Sequence, residues 1–317
     1  MLLSIIIPIY NVEPYIERCL HSIFSQSEAL REDVVEVIAV NDGTPDRSMD
    51  IVEDFARRHQ NLHIINQENQ GLSCARNAGL DKAVGKYVWF VDSDDCITPI
   101  ALRQLLPRLF QTVDIIAFDI EIKEKGKTIY QSIFLKSRWK RFYNTIQRGH
   151  FFGKKVGTGI CPKFLYNRTF LYENHIRFYP HILHEDTEIN VRCFHYAHSM
   201  VCVPVCAYTY VRRSSGSIMT NGFNIKSVID RLLIIRSWEE EAEKCSSYNE
   251  RAMFFDQISA MCQGLLTIKE KSKNYQDFLN KNSLVLKKKM MRCFIKSLPG
   301  YFSLGRCLRL VRGILAG

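Results

Sequence analysis

The chain lacks any long apolar stretch, because its longest hydrophobic runs have only the length of a single strand. A helix that crosses a bilayer needs roughly 20 apolar residues, so we predict no transmembrane segment. The apolar N-terminus has no preceding positive charge and is interrupted by Pro8, which favours a buried first strand over a signal peptide. Internal repeats and low-complexity segments are also absent, which excludes repeat architectures and indicates an ordinary globular protein.

Paired cysteines are missing as well. The 11 cysteines include no Cys-x-x-Cys pair, and the closest two, Cys202 and Cys206, have no histidine pair at zinc-site spacing. This pattern excludes the common zinc motifs. An odd number of unpaired cysteines is typical of reduced thiols, so we predict a cytoplasmic protein.

Acidic residues are absent after Asp277, although the chain as a whole has 43 Lys and Arg against 33 Asp and Glu. Most of the net charge of +10 therefore comes from the C-terminus. Apolar residues are interspersed with these charges, which predicts a basic amphipathic tail over residues 281–315 suited to an anionic membrane surface. Nucleic acid is a competing partner for such a tail. A helix packed on the protein with its lysines in water is the third interpretation.

Strand and helix patterns alternate over the first 120 residues. Strands separated by helices of this length predict right-handed crossovers and an α/β fold with a mostly parallel sheet flanked by helices. The last predicted helix of this region covers Pro99 to Phe110, and a hairpin turn is predicted over Lys123 to Lys127. The predicted strands cover residues 2–9, 34–40, 62–66, 86–91 and 113–122, with helices at 12–24, 44–55 and 72–83 between the first four.

Residues 223–270 have a helical pattern, and the sequence before them resembles an exposed loop. Such a loop indicates a boundary between two domains. We therefore predict two domains, an α/β domain over residues 1–217 and a helical C-terminal region over residues 218–317 that ends in the basic tail.

Three carboxylates stand directly behind the fourth predicted strand, in the segment Asp92-Ser93-Asp94-Asp95. Ligands of α/β sheets bind beyond the carboxyl ends of the strands. Carboxylates this close together either raise one another's pKa or need a cation, and Mg²⁺ or Mn²⁺ with a phosphorylated ligand fits such oxygen donors. A solvated turn is the alternative, since Asp and Ser are common turn residues.

Further polar segments follow the other three strands, namely Pro8 to Asn11, Asn41 to Gly43 and Asn69 to Gly79. An aromatic ring beside a carboxylate can hold a nucleobase, and an arginine near a helix start can bind a diphosphate. Taken singly, each residue also has an ordinary interpretation: packing for Tyr10, a turn for Asp42, and a surface charge for Arg76.

Together these segments resemble the family 2 glycosyltransferases. The resemblance is dense over residues 3–100 and weaker to about residue 217, and four motifs occur in the family's order and spacing. It implies a GT-A fold with a helical C-terminal extension, a nucleotide-sugar donor, most often with UDP, and Mn²⁺ or Mg²⁺ as cofactor. The four motifs are Ser4–Asn11, Asn41–Asp46, Asn69–Gly79 and Phe90–Asp95.

The resemblance also implies roles for individual residues. Asp42 bonds the base, Asp94 reaches the metal, and Asp92 contributes both to the metal and to the donor. Asn41 departs from the family, since many members have Asp there, but the matching carboxylate is the one at position 42. The residues expected to bind the donor are Pro8, Tyr10, Asn11, Asp42, Gly71, Arg76, Asp92, Ser93, Arg213 and Ser217.

A second acidic site, Glu185-Asp186, precedes a partly apolar helix, and its simplest role is to stabilise the start of that helix. It also resembles the family's Glu-Asp motif, which makes Asp186 the expected general base of an inverting transfer, with Glu185 as the second candidate. Lys163 stands where the family has a residue of the acceptor site.

The family's usual setting is bacterial surface polysaccharide synthesis, such as capsule or lipopolysaccharide, on a saccharide or lipid-linked acceptor. We therefore expect a cytoplasmic protein that is peripheral at the inner face of the membrane, with no nucleic acid partner. Two alternatives stay open. A nucleotidyltransferase on a similar scaffold is disfavoured by Tyr10-Asn11-Val12-Glu13, where a glycine-rich phosphate loop is usual. A non-catalytic membrane-associated sugar-binding protein is disfavoured by the intact carboxylates at both sites.

Overall fold

The computed structural model describes residues 1–26, 31–131, 161–212, 225–267, 280–289 and 292. The chain divides into two compact units. The first consists of Met1–Phe152 with Val156–Ser217, and the second of Gly153–Lys155 with Ile218–Gly317. The predicted domain boundary between residues 217 and 218 lies outside the described residues.

The first unit begins with the predicted alternation of strands and helices. Its first four strands are short and apolar, and three helices of 11 or 12 residues connect them. These elements are β1 (Leu3–Ile9), α1 (Glu13–Phe24), β2 (Val35–Asp42), α2 (Ser48–Arg58), β3 (Leu62–Gln67), α3 (Leu72–Lys82) and β4 (Tyr87–Phe90).

The rest of the first unit is less regular. The predicted hairpin is present, with Lys125 and Gly126 at positive φ in its turn. The elements are β5 (Cys96–Ile97), α4 (Ala101–Leu105), β6 (Ile115–Glu124), β7 (Lys127–Gln131), β8 (Phe164–Asn167), α5 (Arg168–Glu173), α6 (Glu185–Tyr196) and β9 (Met200–Arg212).

The described strands form one sheet in the order β3-β2-β1-β4-β8-β6-β9-β5, with β7 paired to β6. The first four neighbours are parallel, as predicted. The second half is mixed: β8 is antiparallel to β4 and to β6, whereas β6 and β9 are parallel. The parallel half carries the strand ends at which the polar motifs lie.

The helix predicted over residues 99–110 is broken in two. Helix α4 ends at Leu105, and Leu106–Phe110 continues as a 3₁₀-helix. Pro107 lies in that second part and has no backbone N–H to donate, so the α-helical hydrogen-bond pattern does not continue through it.

The core of the first unit lies on both faces of the sheet, and β1, β2 and β4 are almost fully buried. Helix α3 approaches β1 closely at Gly79, where a Cβ atom would lie 2.4 Å from Cγ2 of Ile6. This contact requires glycine. The start of α3 lies beside the end of β2, because the Gly71 N–H donates to Asp42 at 2.8 Å.

The second unit is helical over its described residues. Helices α7 (Ile225–Lys244) and α8 (Tyr248–Thr267) bury Trp238 and Phe254, and residues 280–289 are also helical. Among the residues that the structure describes, no helix has both the length and the apolar character needed to cross a bilayer.

Candidate active site

The polar motifs of the first unit lie at one edge of the parallel sheet. In the register of the strands, Ile9 of β1 is opposite Asn41, and Asp42 is opposite Gln67. The next strand ends close by, since Val91 donates its N–H to the Ile6 carbonyl. The segments after β1, β2, β3 and β4 therefore meet, as the sequence predicted.

The turn after β1 presents an aromatic ring to solvent. Tyr10 is 49% exposed, whereas Pro8 before it is buried within the strand. Asn11 has a φ of +55°, and its N–H donates to the Thr44 hydroxyl at 2.8 Å. Asn tolerates this left-handed conformation better than most residues. The turn is thus fixed, and the Tyr10 ring is free to stack on a ligand.

Asp46 fastens this turn to helix α2. Its Oδ2 accepts the Glu13 N–H at 2.8 Å, and its Oδ1 accepts from Thr44 at 2.7 Å and from the Ser48 hydroxyl at 2.6 Å. Burial alone raises the pKa of a carboxyl, but the hydrogen bonds from Ser48 and Thr44 lower the pKa of Asp46 to about 2. The carboxylate is therefore charged whenever the protein is folded near neutral pH.

Asp42 is buried and organises the loop after β3. Its Oδ1 accepts from the Gln67 amide at 2.6 Å and from the Gln70 N–H at 2.9 Å, and its Oδ2 accepts from the Gly71 N–H at 2.8 Å. Gly71 has a φ of +85° with open space where a Cβ would lie, so its conformation is what requires glycine. Asp42 and Gly71 thus form one unit beside Tyr10.

The acidic segment after β4 separates into exposed and buried members. Asp92 and Asp94 are partly exposed, whereas Ser93 and Asp95 are buried. The carbonyl of Asp94 accepts from Arg18 at 2.7 Å. Burial, together with Asp94 and Asp92, raises the pKa of Asp95 well above its usual value. Asp92 and Asp94 are therefore the two carboxylates that a ligand can reach.

Arg76 joins the two acidic sites of the sequence. It is 1% exposed, and its Nη2 donates to Oδ1 of Asp92 at 2.7 Å. Its Nη1 donates to Oε1 of Glu185 at 2.8 Å and to Oδ1 of Asp186 at 3.0 Å. The start of helix α6 is therefore held against the end of β4, although the two are about 90 residues apart in sequence.

The Asp186 carboxyl is held from both sides. Arg76 donates to one oxygen, and the N–H of Cys161 donates to the other at 3.1 Å. Burial raises the pKa of Asp186 to about 7, with help from Glu185 and Asp92 and against the effect of Arg76. A carboxyl that titrates near neutral pH is suited to accept a proton.

Lys163 is buried, with only 8% exposed, and its ammonium lies 5.2 Å from the centre of the Phe164 ring. Burial lowers the pKa of Lys163 to about 8, against the opposing effects of Cys202, Asp119 and Asp186. Its charge thus lies close enough to Asp186 to influence that carboxyl. The other two expected donor residues, Arg213 and Ser217, lie outside the described residues.

Several contacts of the site were not predicted from the sequence. The Phe178 ring lies 5.0 Å from the Arg76 guanidinium, and the Tyr208 hydroxyl donates to Asp95. Both partners are about 100 residues from the group they contact, and no local pattern indicates them. The Cys161 N–H that donates to Asp186 is a backbone group, which carries no sequence signal.

The described residues provide no group of three or more His, Cys, Asp or Glu side chains arranged to hold a metal alone. Asp94 and Asp92 nevertheless form an acidic pair with the oxygen donors that Mg²⁺ and Mn²⁺ prefer. Such ions often take one or two protein carboxylates and complete their shell with water and substrate phosphates. The donor set therefore fits an ion that binds together with a diphosphate.

Comparison with known proteins gives sequence matches over the first unit, which contains the candidate active site. The family model described as glycosyl transferase family 2 matches residues 4–174. The uncharacterized glycosyltransferase EpsJ of Bacillus subtilis is 48% identical over 104 residues, which cover 33% of this chain and 29% of EpsJ. The minor teichoic acid biosynthesis protein GgaB of the same organism is 35% identical over 129 residues, or 39% of this chain and 14% of GgaB. These matches span less than two thirds of the relatives' own lengths.

Solved structures match over nearly the whole chain. The structure of S. aureus TarS 1-349 in complex with UDP-GlcNAc gives a TM-score of 0.66 at 21% identity, covering 94% of this chain and 82% of that one. The mannosyltransferase PcManGT of Pyrobaculum calidifontis, in complex with GDP-Man and Mn²⁺, gives 0.54 at 15% identity, covering 95% and 88%. These likenesses confirm the predicted GT-A fold with its helical C-terminal region. The family model matches more than half of the residues of this chain, so the chain belongs to glycosyl transferase family 2.

Proposed function

We propose that this protein is an inverting, metal-dependent glycosyltransferase that moves a sugar from a nucleotide-diphosphate donor, with UDP the first choice, to a saccharide or lipid-linked saccharide. The observation that carries the proposal is the Asp186 carboxyl, which has a pKa raised to about 7 and is linked through Arg76 to Asp92. A group able to take a proton thus lies beside a group suited to a donor.

Asp186 is the proposed general base. It accepts the proton of the acceptor hydroxyl as that oxygen attacks the anomeric carbon, and a base with a pKa near the working pH does this most effectively. Glu185, on the same first turn of α6, shares the Arg76 guanidinium and is the second candidate. Lys163 is the proposed contact on the acceptor side.

The donor half of the site is proposed to lie at the ends of β1 to β4. The exposed Tyr10 ring stacks on the nucleobase, with Pro8 behind it and Asp42 as the hydrogen-bonding carboxylate. The full set of proposed donor contacts among the described residues is Pro8, Tyr10, Asn11, Asp42, Gly71, Asp92 and Ser93.

Asp94 and Asp92 would hold Mn²⁺ or Mg²⁺ together with the donor diphosphate. The bound ion would neutralise the charge that develops on the leaving diphosphate. PcManGT, with Mn²⁺ in its structure, supports this choice of cofactor by likeness of fold.

The proposed setting is the synthesis of a bacterial surface polymer, such as a capsule, lipopolysaccharide or teichoic acid. The similarity to GgaB, named for minor teichoic acid biosynthesis, supports it. We propose that residues 1–217 form the catalytic domain and that the region over 218–317 brings its basic tail, residues 281–315, to the inner face of the membrane. No nucleic acid partner is proposed.

Release of nucleoside diphosphate from a panel of UDP- and GDP-sugars, with Mn²⁺ and with a chelator, tests this proposal. We expect metal-dependent release from one or a few donors, and transfer when a matching saccharide acceptor is added. Asp186→Asn should abolish most of the transfer, whereas Glu185→Gln should retain more transfer activity. Release of pyrophosphate from a nucleoside triphosphate and a sugar phosphate would instead indicate a nucleotidyltransferase. No turnover of any donor would favour a sugar-binding protein.

A further inference from the structure

The Arg76 guanidinium binds three carboxylates of the candidate active site. It is almost fully buried, and charge-assisted hydrogen bonds at 2.7, 2.8 and 3.0 Å join it to Asp92, Glu185 and Asp186. Bonds of this kind are roughly twice as strong as those between neutral groups. An incoming diphosphate would have to displace these partly exposed carboxylates to reach the buried guanidinium.

An aromatic ring packs against the guanidinium and restrains it. The Phe178 ring lies 5.0 Å from it. The neighbouring Asn77 holds Phe178 in place, because its Oδ1 accepts the Phe178 N–H at 3.0 Å and its Nδ2 donates to the Phe178 carbonyl at 2.9 Å. The arginine therefore has a fixed position with respect to helix α3 and to the loop before α6.

This arrangement sets the orientation of the Asp186 carboxyl. One oxygen accepts from Arg76 and the other from the Cys161 N–H, so the plane of the carboxyl is fixed by two donors. Each carboxylate oxygen has two lone pairs. One lone pair on each oxygen therefore stays available for an acceptor hydroxyl, while rotation of the group is restricted.

We propose that Arg76 is a positioning residue, which fixes Asp186 for proton transfer and sets its separation from Asp92, and that it does not bind the donor diphosphate. This inference rests on the proposed function. It differs from the role expected from the sequence, where Arg76 belongs to the donor-binding segment. A lysine cannot replace it, since one ammonium cannot span carboxylates on two elements as a planar guanidinium does.

Arg76→Lys tests the proposal, with kcat and donor KM measured on the nucleotide sugar that the wild-type protein turns over, and with UDP affinity measured by titration in Mn²⁺. We expect kcat to fall by roughly 10²-fold, the usual effect of a misplaced catalytic group. Donor KM and UDP affinity should stay within about threefold, since only an interaction of the transition state is lost.

Arg192→Lys is the matched control. Arg192 is also buried, lies on α6, and binds Glu188 through two hydrogen bonds. The same substitution there should lower thermal stability and leave kcat within about threefold, because these two hydrogen bonds join Arg192 to Glu188 and not to the proposed base. Equal kcat losses in the two variants would show a general loosening of α6 and contradict the proposal.

A parallel fall of UDP affinity and kcat in Arg76→Lys would show that the arginine binds the diphosphate, and an unchanged kcat would also overturn the proposal.

If this variant does not fold, Phe178→Leu decides, because it removes the ring and keeps every charge. A lower kcat with unchanged UDP affinity supports the proposal, and an unchanged kcat contradicts it. The wild-type protein is assayed first. If it turns over no nucleotide sugar, the proposed function fails, whereas the outcomes above concern the role of Arg76 alone.

Discussion

The Tyr208 hydroxyl donates a hydrogen bond to Oδ2 of the buried Asp95 across 2.6 Å. The same hydroxyl accepts the Asp92 N–H at 3.3 Å, and Oδ1 of Asp95 accepts the Val211 N–H at 2.7 Å. Strand β9 is thereby fastened to the acidic segment after β4. The third aspartate of that segment supports the other two and is not itself available to a ligand.

Tyr208→Phe removes one donor from a buried carboxyl, and we expect a loss of about 1–3 kcal/mol in the free energy of unfolding. Urea denaturation measures it. Tyr210→Phe, on the same strand but only partly buried, is the control and should stay within about 0.5 kcal/mol of the wild type. Equal stability of the two variants would show that the Tyr208–Asp95 bond does not support the acidic segment.

Asp46→Asn should loosen the turn that carries Tyr10. The substitution weakens four hydrogen bonds that join Asp46 to Glu13, Thr44 and Ser48, and we expect a loss of about 1–2 kcal/mol in the free energy of unfolding. UDP affinity should fall as well, because the Tyr10 ring loses its fixed support. Exposed Asp50→Asn on the same helix is the control. A variant as stable as wild type would contradict this role.

The same carboxylate predicts a pH dependence of stability. The folded-state pKa of about 2 is below the usual value of 3.8, so Asp46 stabilises the fold above about pH 4. That contribution is lost as the pH falls from about 4 towards 2. Unfolding free energies across this range should therefore fall more steeply for wild type than for Asp46→Asn. Parallel curves would show that Asp46 is not the group responsible.

Catalysis should fall off at a higher pH than it would with an unperturbed aspartate as base. A general base acts only when unprotonated, and the pKa of Asp186 is raised to about 7. We expect kcat/KM to rise about tenfold per pH unit below 7 and to level off above it. A rate that is already constant from about pH 5 upward would mean that no group with a raised pKa acts as base.

The basic tail should increase binding to anionic vesicles. In its described part, Leu284 and Val285 are 63% and 60% exposed, and Lys287 and Lys288 lie on the same helical segment. Replacing both lysines by glutamine should weaken binding to phosphatidylglycerol vesicles roughly 30-fold, at about 1 kcal/mol per basic residue. Neutral phosphatidylcholine vesicles and donor turnover are the controls. Unchanged binding to anionic vesicles would contradict a membrane role.

The parallel half of the sheet could be predicted because each strand is short, apolar and followed by a helix with its own periodicity. The convergence of the motifs followed from the direction of parallel strands, so Tyr10 and Asp42 were correctly expected at one edge. The antiparallel insertion of β8 between β4 and β6 was not predictable, since its pairing joins segments about 50 and 80 residues apart.

The contacts among the site residues could not be predicted from the sequence. Arg76 had a plausible donor role in its motif, but its three carboxylate partners follow β4 or begin α6, and only the tertiary structure brings them to it. Asp42 likewise binds the Gln70 and Gly71 backbone, which carries no side-chain signal. Residue types indicated the chemistry that we propose for the site, whereas only the tertiary structure gives the pairing.

The most direct test of the account compares turnover and nucleotide binding in Asp186→Asn. We predict that kcat of this variant falls by roughly 10²–10⁴-fold, the usual contribution of a positioned base. UDP affinity in the presence of Mn²⁺, measured by titration calorimetry, should stay at the wild-type value. Retained turnover, or a loss of UDP affinity equal to the loss of rate, would contradict the assignment of Asp186 as the base.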